Sequence, residues 1–85
     1  MGGLSDLGMI KRDGVERGRA AAGEARWLSA HYNHLGDICK SLAGAAAYHK
    51  AGSAYAQAAD HYDQGSMDSG HLLMTAADGY LREVR

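Results

Sequence analysis

The sequence predicts an all-α fold, a small bundle of three main helices with a short helix ahead of them. Three observations carry that prediction. Proline is absent, apolar residues recur in alternating steps of three and four in three separate stretches, and glycines stand where those stretches end. The 85 residues make one helical domain, residues 1–85, with residues 1–4 expected to be flexible.

Ahead of the long first helix, Ser5 is placed to cap a short helix holding Leu7, Met9 and Ile10, which Gly14 interrupts. The other arrangement runs this segment into the long helix with a kink. From Gly18 the seam reads Gly18, Ala21, Ala25, Leu28, Tyr32, Leu35, Cys39, Leu42 and Ala46. That spacing suits a helix packed along a near-parallel or antiparallel neighbour. It predicts a helix from Val15 or Arg17 to about Ala43, with Gly44 as its stop. The second seam is Tyr48, Ala51, Tyr55, Ala58 and Tyr62, closed by Gly65, after which Ser66 or Asp68 is placed to cap the next helix. The third is Gly70, Leu73, Ala77, Tyr80 and Val84, flanked by Met74 and Leu81. Links this short make consecutive helices antiparallel.

Composition says what the packing must be made of. Hydrophobic residues are 46% of the chain, but many are alanine, and only one Trp, five Tyr and no Phe serve as large fillers. Each of the 12 glycines costs about 1 kcal/mol relative to alanine inside a helix. Some must therefore mark helix ends or places where helices approach closely. So small a domain has little surplus stability, and a homodimer is one way of covering apolar surface left over.

Two short stretches share a pattern: Tyr32-x-x-Leu35-Gly36-x-x-Cys39 and Tyr48-x-x-Ala51-Gly52-x-x-Tyr55. Both resemble the first helix of a tetratricopeptide repeat. They stand sixteen residues apart, whereas that repeat has a period of about 34. The second-helix pattern is missing between them, so the resemblance expresses shared helix-packing chemistry and assigns no family.

The net charge of −1 gives no footing for nucleic-acid binding, but its distribution is uneven. Lys11, Arg12, Arg17, Arg19 and Arg26 crowd the first third, while Ala51 to Leu81 carries Asp60, Asp63, Asp68 and Asp78 with no Lys or Arg. Arg12, Arg19 and Arg26 repeat every seven residues, a stripe whose simplest use is ion pairing to Glu16 or to a neighbouring subunit. The single Cys39 excludes an internal disulfide and, lying on an apolar stripe, is expected to be buried as a small hydrophobe. No stretch reaches membrane-spanning length, and the N-terminus lacks the apolar core of a secretory signal. A myristoylation signal would need Ser or Thr where Asp6 stands. A cytoplasmic protein is expected.

Residues able to carry chemistry are few. His31, His34 and Asp37, three residues apart, supply ligand types suited to zinc, nickel or iron, with Glu24 one heptad earlier and a second chain completing the site. Against this metal alternative, the Glu-x-x-His signature of di-iron bundles is absent and the chain has one cysteine. His61 between Asp60 and Asp63 forms an acid–imidazole group able to orient a base, but no nucleophile motif or phosphate loop accompanies it. His49 and His71 have no evident partners. No enzyme activity and no cofactor are expected.

The remaining expectation is a protein–protein interaction module. Tyr48, Tyr55 and Tyr62 share one helical face, either as a core seam or, with Trp27 and the methionines, as interface anchors. In the second sense Tyr55 and Tyr62 join Asp60, Asp63, Asp68 and Asp78 in an aromatic surface with an acidic rim, suited to a basic, nucleic-acid-handling protein partner. A concrete form is a small inhibitor or adaptor of phage or mobile-element type, anti-CRISPR-like in occupying a nucleic-acid-binding surface.

Overall fold

In the computed structural model, α1 spans Gly2–Ile38, α2 Leu42–Asp63 and α3 Met67–Arg82. The backbone is described for residues 2–84 and side chains for residues 16–84. Among the described residues there is no strand, so the fold is all-α as the hydrophobic spacing predicts. The segment expected as a separate short helix lies within the span of α1, and its side chains fall outside the described residues. No helix among the described residues is long and apolar enough to cross a membrane.

The second helix is the shared element. It packs against both α1 and α3, whose backbones make little direct approach to each other, and side chains of all three helices meet in the core. The molecule is 61 Å long and 17 by 15 Å across. Its length comes from α1, whose 37 residues make a rod of about 55 Å against about 33 Å for α2.

The first junction differs from the expected stop at Gly44. The break falls at Cys39–Ser41, and Gly44 belongs to the first turn of α2. Ser41 is the cap, in extended conformation, with its Oγ accepting the Gly44 N–H at 3.2 Å. Gly44 is small because the half-buried Cys39 sulfur lies over it, 2.8 Å from where a Cβ would stand. The second junction is as expected. Gly65 takes φ +82°, its N–H bonds the Tyr62 carbonyl, and the Ser66 N–H bonds the His61 carbonyl. That pair of bonds is a Schellman motif, which a left-handed glycine completes without steric cost. Ser66 occupies the cap position of α3 without a side-chain capping bond, and Asp68 lies in the first turn, where a negative charge favours the helix dipole.

The α1 seam is also rotated from the predicted one. The buried line is Gly18, Ala22, Ala25, Ser29 and Gly36, whereas Ala21, Leu28, Tyr32 and Leu35 flank it half-buried. The smallest residues win the contact because α1 and α2 touch nearly backbone to backbone. A methyl group on Gly18 would collide with the Tyr62 carbonyl oxygen. The Ser29 hydroxyl donates to the Gly52 carbonyl at 2.8 Å, closing the middle of the seam.

The duplicated motif now has a structural meaning. Its two copies face each other across the α1–α2 contact, antiparallel, with a local pseudo-two-fold relation. Asn33, next to the first tyrosine, lies over Gly52, while His49, next to the second, lies over Gly36. At the centre His49 Nδ1 and Asn33 Oδ1 are 3.1 Å apart, and Tyr32 stacks on Tyr48 with centroids 6.1 Å apart. Sixteen residues is thus the spacing of two paired half-motifs, and a tandem repeat is not involved.

Two clusters form the core. Ala22 and Ala25 meet Ala58, Ala59 and Tyr62 toward one end. Ala51, Ala54 and Tyr55 meet Ala77 and Leu81 toward the other. The tyrosines of α2 are therefore fillers. Tyr62 lays its ring where Gly70 leaves a gap and binds His71 Nδ1 through its hydroxyl at 2.7 Å.

Candidate functional site

The site expected from the sequence is taken apart by the fold. Tyr55 and Tyr62 are 4% and 3% exposed, so neither is available as an interface anchor. They are held inside because an alanine-rich core has few other large residues to fill it. Burial, together with the neighbouring Asp78 carboxylate, pushes the Tyr55 hydroxyl up to about 12, and burial raises the Tyr62 hydroxyl as well, with a smaller contribution from Glu24.

The four aspartates are exposed but do not form one face. Asp60, Asp63 and Asp68 surround the Gly65 turn, whereas Asp78 lies ten residues further along α3, about 15 Å away by helical rise. Asp63 is neutralised by an ion pair with Arg26, which reaches it from α1 instead of turning to Glu16. This pair, helped by Asp60, raises the Arg26 guanidinium further. Asp60, Asp68 and Asp78 make no ion pair among the described residues.

The histidines are sorted differently from their sequence spacing. His31 stacks flat on Trp27 at 4.9 Å, and Asp37 turns to His49 at 3.3 Å, so that among the described residues no group of three or more His, Cys, Asp or Glu could hold a metal ion. His61 hydrogen-bonds neither Asp60 nor Asp63 among the described residues. The bonded histidines are His49 and His71, whose partners lie on a neighbouring helix and are therefore invisible in local spacing.

What the fold does build is a cleft. Where the C-terminal half of α1 and the end of α3 come together over Tyr48 of α2, they leave an opening of about 290 Å³, lined by His31, Tyr32, Leu35, Tyr48, Leu81 and Val84. Tyr32 forms its wall and stacks on both Tyr48 and Tyr55. Tyr32 and Leu81 continue into a second hollow shared with Asp78 and Arg82. Aromatic surface therefore runs unbroken from the exposed Trp27 through His31 and Tyr32 to the cleft floor, with a carboxylate at one end. Chemically this is a surface for apolar and cationic side chains, with no nucleophile–base pair in it. Sequence spacing marked Tyr32, Leu35 and Tyr48 only as seam residues. The missed signal is their size beside a Gly–Ala–Ser line: large residues one step off a close-packed seam are left half-buried at its edge.

No protein-family model, curated protein or solved structure matches this chain.

Proposed function

We propose that the protein is a non-enzymatic interaction module that seats a segment of a basic protein partner in the cleft between α1 and α3. The observation carrying this reading is the open, aromatic-lined cleft with Asp78 beside it. Tyrosine surface gives much contact area for little lost side-chain freedom, and Asp78 offers a lysine or arginine of the partner an acceptor next to an aromatic wall. The carboxylates of Asp60 and Asp68, some distance off, steer such a partner without touching its inserted segment. An inhibitor or adaptor that occupies the basic surface of a nucleic-acid-handling protein is the concrete form of this function.

Capture of the tagged chain from its native host tests it. Wild type is expected to retain one basic partner in equal amount. Val84→Glu and Asp78→Lys, both with unchanged circular dichroism, are expected to lose it, while Asp60→Lys with Asp68→Lys slows association. Full retention by Val84→Glu and Asp78→Lys would contradict the cleft as the docking site.

A further inference from the structure

The first helix carries a second seam, on the side turned away from α2. Ala20, Gly23, Trp27, Ala30, His34 and Asp37 follow one another in steps of three and four, and all are exposed, as is Ile38 beside them. Trp27 is 64% and Ile38 61% exposed. A 3.5-residue repeat on a helix whose opposite face is already buried is the pattern of a helix with two neighbours.

We infer that this outer face pairs with the same face of a second copy of the chain, antiparallel, making a symmetric dimer. The register follows from size and charge. When residue numbers facing each other sum to 57, Trp27 meets Ala30 of the second copy, His34 meets Gly23, and Asp37 with Ile38 meets Ala20, each pair reciprocated by symmetry. Every large residue finds a small one, and Gly23 has open space for its visitor, with nothing within 4 Å of where a Cβ would stand. A parallel pairing would instead set tryptophan on tryptophan and glycine on glycine, leaving holes. Charge agrees with the antiparallel register. Beside the seam, Glu24 comes within reach of the His31 imidazole of the second copy as a hydrogen-bond acceptor, and Arg19 comes beside its Asp37. The second copy is thus the occupant for which the face is self-complementary, and His31 is the residue that this face shares with the cleft lining. This pairing does not depend on the cleft's function.

Sedimentation equilibrium under reducing conditions, from low to several hundred micromolar, is the test. A single helix pair is a small interface, so wild type is expected to dimerise with a Kd on the order of micromolar to tens of micromolar. Trp27→Ala weakens the dimer by about tenfold or more, as expected of a central aromatic anchor. Glu24→Lys weakens it several-fold, and adding His31→Glu restores it, since the introduced lysine and glutamate then attract across the seam. A wild type that stays monomeric throughout, or a Trp27→Ala variant that dimerises normally, overturns the inference. So does a dimer equally sensitive to Val84→Glu, which would place the contact at the cleft. Failure of rescue by His31→Glu overturns the register.

Discussion

Toward α1, the second helix is met by backbone: the Tyr62 carbonyl lies against Gly18, and the Gly52 carbonyl takes the Ser29 hydroxyl. Toward α3 it is met by side chains: the Tyr62 ring fills the space at Gly70, and Ala51, Ala54 and Tyr55 gather Ala77 and Leu81. The two contacts differ in what they tolerate. Side chains change rotamer to absorb an added atom, but a backbone carbonyl moves only if a helix moves with it. The α1–α2 contact is accordingly the rigid one, and it pushes the larger residues of α1 to the edge, where they line the cleft.

The largest effect should come from the rigid contact. Gly18→Leu is expected to destabilise by more than about 3 kcal/mol in chemical denaturation, because overpacking here cannot relax locally. Gly79→Ala, at a helical glycine with open space around it, should instead stabilise by about 0.5–1 kcal/mol. If both changes behaved alike, the close contact would not be what Gly18 provides.

Next comes the side-chain contact, through pH. The fold favours the neutral Tyr55 phenol, whose pKa rises from 10.0 to about 12. Its contribution is therefore complete below pH 10 and is lost as pH climbs toward about 12. Ultraviolet titration should show Tyr55 and Tyr62 ionising above the ordinary tyrosine range. Tyr55 and Tyr62 titrating near pH 10 would mean that this region opens.

Smaller still is Ser29→Ala, expected to cost about 1 kcal/mol by removing the hydroxyl bond to Gly52 while leaving the seam closed. The least should come from the Arg26–Asp63 pair. Both side chains are well exposed, so a double-mutant cycle is expected to give coupling near the error of measurement, vanishing in salt.

The sequence marked the helices well where period and punctuation agreed. Tyr48, Ala51, Tyr55, Ala58 and Tyr62 do line the inward side of α2, and Gly65 does end it. It misled where two devices share a residue type. Gly44 resembled a stop but serves a close approach to Cys39, and Ser41 made the actual boundary. The α1 seam was shifted because large apolar residues dominate a periodicity count, whereas the contact selected the smallest residues, Ser29 included. Distant pairings such as Arg26 with Asp63 and His49 with Asp37 depend on how helices are set side by side, which no local spacing records. The cleft was illegible for the same reason: it exists only because the ends of α1 and α3 are brought together over Tyr48 of α2.

The central claim, recognition at the α1–α3 cleft, is tested most directly by site-specific photo-crosslinking in the native host. A benzophenone amino acid placed at Val84, in the cleft, is compared with one at Gln57, on the other side of α2. The account predicts a single protein adduct from position 84 and none from position 57. An adduct from position 57 alone, or equal adducts from both, would contradict it.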